Sequence, residues 1–342
     1  MNETRKVTIL YDAIEDEERT EGEDESVNRQ VEAVLRERGH TVETIAATPD
    51  LSHLIRALDQ DESQIVFNLG EALGGIDTGA LQVASVLEHL HKPFTGAGTL
   101  GLSLAQDKAL AKKIFAFHDL PYPKFSLMRA GEVEWSDDLQ FPLFVKPADT
   151  DSSVGIDAGA LVQDLKALME RISYIHTEIH APVLIEEFIE GRELFVGVLG
   201  HGAHETMEAL PIIEWDFSKV KGPKFATAAA KWDKQSEGYK APERFPTDIP
   251  DEVCRAMQRA AVEACKALHI YDYGRVDMRL RIKKGGRSDN PKSWQFYIIE
   301  ANPNPYLEKS SEVAMAAQKS GLGYAELIEK ILDSAANRHA RA

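Results

Sequence analysis

Over the first hundred residues the apolar positions switch between the two-residue period of strands and the wider spacing of helices. KVTILYD (6–12) reads as a first strand. ESVNRQVEAVLRERGH then sets Val27, Val31, Val34 and Leu35 on one helical stripe and stops at Gly39. HTVETIAA predicts a second strand, LSHLIRALDQ a second helix, QIVFNLG a third and fully apolar strand, and TGALQVASVLEHL a helix before the turn KPFTGAG. This rhythm implies a parallel sheet with helices on both faces. Residues 104–125 predict one further helix, LAQDKALAKKIFAFHDL, closed by the turn PYPKF.

Beyond that point the rhythm changes. FPLFVKPA and APVLIEEFI read as strands around a helix, LVQDLKALMERISYIH. ELFVGVLG, HETMEALPIIEW and WQFYIIEAN read as longer strands, with DEVCRAMQRAAVEACKALHI a long helix before the strand DYGRVDMRLRI. GLGYAELIEKILDSAANR predicts a closing helix, and KKGGRSDNPKS (283–293) a hairpin loop. There is no internal repeat and no low-complexity linker.

Composition narrows the classes. A chain of 342 residues with 43% hydrophobic and 28% charged residues has room for two or three domains. It has no apolar run long enough for a membrane span, and its start reads as a strand rather than a signal peptide. Cys254 and Cys265 form no disulfide or metal pattern. Eleven residues apart in one helix, they are expected as buried thiols on one face, which fits a reducing cytoplasm. A net charge of −17 argues against a nucleic-acid partner, because phosphate contacts along a strand need a basic surface. A single nucleotide needs only a few local cations and a metal, so nucleotide binding stays open.

Three segments carry candidate chemistry. In DYGRVDMRL the residues Arg275, Asp277 and Arg279 alternate with apolar ones and share a strand face, and in FYIIEANPNP so do Glu300 and Asn302. Side by side, these strands would gather Asp277, Glu300 and Asn302, hard oxygen ligands suited to Mg²⁺, beside Arg275. The plainer alternative is a solvated polar face. In FPLFVKPADTDSSVGI, Lys146 ends an apolar strand before a loop with Ser152, Ser153 and Gly155, a composition that suits a phosphate cradle or, equally, a surface hairpin. In PVLIEEFIEGRELFV, Glu186 and Glu193 flank a bend permitted by Gly191, as nucleotide acceptors or as solvated turn charges.

Taken together and in this order, SLAQDKALAKKIFAFHDLPYPKF, FPLFVKP…SSVGI, PVLIEEFIEGRELFVGVLG, GRVDMRL and IIEANPNP resemble the D-alanine–D-alanine ligase branch of the ATP-grasp superfamily, from about Gln64 to Ala335. The resemblance implies an α/β (α+β) three-domain ATP-grasp fold. Its parts would be an N-terminal parallel-sheet, substrate-side domain (1–103), a central ATP-grasp subdomain (104–190) and a C-terminal catalytic subdomain (191–342), with ATP between the last two. By the same resemblance Lys108 and Lys146 would contact ATP phosphates, Glu186 the adenine end and Glu193 the ribose. Asp277, Glu300 and Asn302 would hold two Mg²⁺ ions. Arg275 would stabilise an acyl-phosphate and the tetrahedral intermediate that follows. Lys231 falls where a mobile loop supplies a phosphate-contacting lysine, and Ser311 matches a serine near the second substrate's carboxylate. The implied enzyme is an ATP-dependent carboxylate–amine ligase, ADP-forming, acting on small amino-acid or peptide substrates, and the resemblance implies a homodimer.

The departures from the family gather on the amino-acid side. A glycine-rich loop bearing Glu-Val-Ser is replaced by IEDEERTEGEDESV, where Glu23 or Glu25 could take over its ammonium-binding role. The Leu-His-Gly segment becomes FNLGEALGG, with Glu71 and Asp77 nearby. A Lys-Tyr pair becomes Lys231-Trp232, and a Gly-Met-Thr turn becomes Tyr306-Leu307-Glu308. Asp151 stands in place of a glycine before the two serines. The expectation is therefore a ligase whose substrate is not plain D-alanine. An authentic D-alanine–D-alanine ligase and a non-catalytic nucleotide-binding protein of the same fold are the alternatives.

Overall fold

The computed structural model describes residues 3–13, 26–70, 73, 79–129, 132–134, 136, 138–149, 155–201 and 207–340. The first part is the expected strand–helix alternation: β1 (Lys6–Asp12), α1 (Val27–Glu37), β2 (Thr41–Ala47), α2 (Leu51–Gln60), β3 (Ile65–Leu69) and α3 (Gly79–His89). The three strands form a parallel sheet with β1 in the middle. Gly39 ends the α1 segment with a φ of 91°, a left-handed conformation that glycine adopts without a Cβ clash.

The single helix expected over 104–125 is two helices, α4 (Thr99–Gln106) and α5 (Lys108–Phe117). Asp107 separates them. Its backbone is extended, and its side chain accepts from the amides of Ala109 and Leu110, so it caps the second helix instead of continuing the first. The cap makes Lys108 the first residue of α5, and its own amide donates to Ala148 O at 3.2 Å.

A five-stranded antiparallel sheet follows, in the order β5-β4-β8-β6-β7, from β4 (Phe125–Arg129), β5 (Glu132–Glu134), β6 (Leu143–Pro147), β7 (Leu161–Val162) and β8 (Val183–Glu187). Leu161 and Val162, expected to start a helix, pair instead with β6, and Asp164 caps α6 (Leu165–Tyr174). The largest sheet holds β9 (Arg192–Leu199), β10 (Glu208–Ala209), β11 (Ile213–Trp215), β12 (Glu243–Arg244), β13 (Tyr273–Ile282) and β14 (Trp294–Pro303). The long strand expected in HETMEALPIIEW is the two short strands β10 and β11, with Leu210, Pro211 and Ile212 between them. Proline cannot donate to a ladder, which accounts for the break.

A short helix, α7 (Ala228–Trp232), precedes α8 (Asp251–Ala267), whose Val253, Met257, Ala260, Ala261, Ala264 and Cys265 pack on the inner face of β9, β13 and β14. Cys265 is buried, and burial pushes its thiol up to about 12. Cys254 lies on the same face and packs against the same core, but in the first turn of the helix, where it is only half-buried. The chain closes with α9 (Glu312–Lys319) and α10 (Tyr324–Ala340). Leu327, Ile328, Ile331, Leu332 and Ala335 of α10 join Val7 and Ile9 of β1 and Val31 and Leu35 of α1 in one core. No helix of the described residues is long and apolar enough to cross a membrane.

Candidate active site

Strands β13 and β14 run antiparallel with Asp277 opposite Glu300 and Arg275 opposite Asn302, so the two acids meet across the ladder as their alternation requires. One residue later the register shifts, and Met278 pairs with Ile298. Ile299 is thus the extra residue of a β-bulge. Its carbonyl, released from the ladder, accepts from Lys112 Nζ at 2.6 Å.

Lys112 is the side chain that sequence reasoning passed over. It is 1% exposed and pairs with Glu186 Oε1 at 2.8 Å, while Lys146 Nζ pairs with Glu186 Oε2 at the same distance. One buried carboxylate thus sits between two ammonium groups. Burial opposes its ionisation, but the two lysines hold Glu186 below the usual glutamate range. The signal was present in the spacing: Lys108, Lys112 and Phe115 lie at i, i+4 and i+7 on the buried stripe of α5. A lysine on such a stripe needs a buried partner.

Burial of Glu300 is likewise offset, here by Lys108, Lys146, Lys231 and Arg275, and the carboxyl is held well below its ordinary value. Asp277 moves the other way. Burial pushes it up, although Arg275 forks onto it with Nε at 2.7 Å and Nη2 at 3.0 Å. Arg275 also reaches Glu312 at 3.4 Å and lies over the Phe195 ring. Lys231 arrives from α7, whose N-cap Thr227 accepts from Ala230 N and whose Ala228 donates to Ile156 O at 2.9 Å.

Lys146, Lys231, Asp277 and Glu300 border a cavity lined also by Phe144, Phe188 and Phe225, by Ile156, Ile189 and Ile299, and by Glu186, Glu193 and Arg279, whereas Lys108, Arg275 and Asn302 stand outside its lining. Phe144 and Phe225 meet edge to face with centroids 5.0 Å apart, and Phe188 stacks on Phe144 at 6.2 Å. Glu193 accepts from Arg279 and from the amide of Ala226.

Asp277, Glu300 and Asn302 come together as the strand alternation requires. The Asn302 Nδ2 is buried without a hydrogen-bond partner among the described residues. An amide so placed can turn its oxygen toward a cation, and two opposed acids plus an amide oxygen form a donor set that fits Mg²⁺. No third His, Cys, Asp or Glu completes a metal cluster among the described residues. The remaining positions would fall to water and phosphate oxygens. Ser311 caps α9, accepting from Ala314 N, and Trp232 is 68% exposed. Neither these two nor Tyr306 lines the cavity. Ser152, Ser153, Asp151, Glu23, Glu25, Glu71 and Asp77 lie outside the described residues.

Comparison with known proteins gives one consistent result. The family model for the C-terminus of D-ala D-ala ligase matches residues 114–333. The uncharacterized protein y4sG of Sinorhizobium fredii is 33% identical over 90% of this chain and 87% of its own length. The D-alanine–D-alanine ligase of Ralstonia pickettii is 32% identical over 89% and 83%. The crystal structure of D-alanine–D-alanine ligase from Bacillus anthracis complexed with ATP superposes with a TM-score of 0.72 over 99% of both chains, at 21% identity.

Proposed function

The chain belongs to the D-alanine–D-alanine ligase-like family of ATP-grasp enzymes, ATP-dependent ligases, and from that premise we propose that it joins a carboxylate to an amine through an acyl-phosphate, with an amino substrate other than plain D-alanine. One observation carries the reading. In a protein of net charge −17, Lys146 and Lys231 line one cavity with Glu300 and the Asp277 it faces, and together with Lys108 and Arg275 they hold the Glu300 carboxyl below its ordinary value. Such a concentration of positive charge around two acids suits a metal-bound polyphosphate.

On this reading the aromatic cavity takes the adenine, and the cations and acids take the phosphates. Asp277, Glu300 and Asn302 would hold Mg²⁺, which when bound neutralises charge on the transferring phosphoryl group. Lys108 and Lys146 would contact phosphate oxygens, with Glu186 and Lys112 fixing the second of them, and Ser152 and Ser153 would complete the cradle. A substrate carboxylate oxygen attacks the γ-phosphorus and ADP leaves. The amine nitrogen then attacks the acyl carbon, the amide forms, and phosphate and a proton depart. Arg275 and Lys231 lie where negative charge develops in both steps. Residues 1–103 and the segment bearing Ser311, Tyr306 and Trp232 would present the amino substrates, whose ammonium Glu23, Glu25, Glu71 or Asp77 would meet.

The test is release of ADP and phosphate with Mg²⁺-ATP while amino acids and dipeptides are screened in pairs. The expected outcome is weak turnover with D-alanine alone at millimolar concentration and stronger turnover with another amine. Robust D-alanyl-D-alanine synthesis would restore the family's default substrate. No turnover with any pair, alongside tight ATP binding, would favour a non-catalytic nucleotide-binding role.

A further inference from the structure

Arg279 stands two residues beyond Asp277 on β13 and lines the same cavity. The bulge at Ile299 sets it opposite Tyr297. It is only 6% exposed, and its guanidinium is bonded throughout. Nε donates to Ile189 O at 3.0 Å, Nη2 to Gly191 O at 2.9 Å, and Nη1 to Lys224 O at 2.9 Å and to Glu193 Oε2 at 3.0 Å. The Phe188 ring lies 5.6 Å from its Cζ.

These partners come from separate stretches of chain. Ile189 and Gly191 form the bend between β8 and β9. Gly191 passes so close to Leu280 O that any Cβ there would strike the backbone. Lys224 belongs to the loop that also supplies Phe225 and Ala226 to the cavity wall. That loop is wound on itself, because the Lys224 ammonium donates to the carbonyls of Phe217, Ser218 and Val220. Glu193 Oε2 takes two donors, Arg279 Nη1 and Ala226 N at 3.0 and 3.1 Å. Its other oxygen, Oε1, accepts from none of the described residues, and the side chain lines the cavity. A carboxylate with one oxygen committed on two sides is an oriented acceptor, since its second oxygen cannot rotate away without breaking both bonds.

We propose that Arg279 is a positioning residue for the sugar of the bound nucleotide: it holds Glu193 so that Oε1 faces a ribose hydroxyl, and the same guanidinium fastens the Lys224–Ala226 loop at the cavity wall. The inference rests on the nucleotide reading above. Only a planar fork with several fixed donors can serve a carboxylate and three carbonyls at once, so lysine is no substitute here.

The experiment measures the affinities of the full-length protein with Mg²⁺ for ATP, 2′-deoxyATP and 3′-deoxyATP by calorimetry, with tryptic cleavage after Lys224 as a second readout. The wild type should favour ATP over one deoxy form by about tenfold, the worth of one hydrogen bond to a charged acceptor. Arg279→Met should lower that preference below about threefold and expose Lys224 to trypsin. Arg279→Lys, which retains the charge and serves if the methionine variant fails to fold, should also lose most of it. Glu193→Gln should remove the preference too, and adding Arg279→Met to it should change the preference no further, whereas a purely structural arginine would add its own loss. Full preference in folded Arg279→Met or Arg279→Lys overturns the proposal, as does an additive double variant. A wild type that binds ATP and both deoxy forms equally overturns it while leaving the nucleotide reading intact. A wild type that binds no nucleotide sinks that reading first.

Discussion

Replacing Glu186 with glutamine tests the buried charge arrangement directly. Glu186, Lys112 and Lys146 have side chains 3%, 1% and 2% exposed, and the carboxylate lies 2.8 Å from each ammonium. Removing its charge leaves two cations without their shared counter-ion, an arrangement that costs about 3–5 kcal/mol in buried pairs. The fold can escape by deprotonating one lysine. Lys112 is the candidate, since burial and then Lys146 already lower its affinity for a proton, against the pull of Glu186. At pH 7 that escape costs about 4–5 kcal/mol, from an ordinary lysine value near 10.4 at about 1.4 kcal/mol per unit. The two figures agree. The sign of the pH dependence follows: in the variant the unfolded state binds one proton more than the folded state. Stability lost at pH 7 should therefore return at about 1.4 kcal/mol per pH unit up to the ordinary lysine range. Urea unfolding of both proteins at pH 7, 8 and 9 measures this. A deficit below 1 kcal/mol at pH 7, or one that stays constant to pH 9, would refute the reasoning.

Glu300→Gln should abolish turnover in a protein that still folds, with a lowered melting temperature because the carboxylate's favourable charge interactions are lost; unchanged kcat in the folded variant would remove the metal assignment. Lys146→Ala should weaken ATP binding by at least tenfold, whereas Lys166→Ala, on a side chain 85% exposed, should leave it within twofold, and equal calorimetric affinities for the two would count against the phosphate role.

The fold was largely legible because its periods are clean. β3 is buried at every position, Asn68 included among its apolar neighbours, and α1 buries the stripe its valines mark. Asp277 and Glu300 were legible for the same reason: alternation alone puts them on facing strands. Three features escaped. Asp107 breaks a continuous helical pattern through its own side-chain cap, and an aspartate inside an apolar rhythm reads as an ordinary surface residue until its dihedrals are known. The bulge at Ile299 has no compositional mark, yet it decides which residue Arg279 faces and frees the carbonyl that Lys112 takes. The convergence of Phe144, Phe188 and Phe225 draws on three distant stretches, and each phenylalanine alone reads as core.

The closing helix bears on how the protein is made. α10 lays five apolar side chains against the first sheet. It also ties that half down with polar bonds: Asp333 to Arg5, Glu329 to His40, Glu326 to Arg38, and Arg338 to the carbonyls of Phe94 and Gly96. The opening strand of the chain is therefore completed by its final helix. During synthesis the first hundred residues leave the ribosome with one side of their core uncovered, and it stays so until α10, more than two hundred residues later, has emerged. Stop codons or proteolytic nicks within α10 would unroof the opening sheet, some three hundred positions away, while leaving every residue of the candidate active site in the chain.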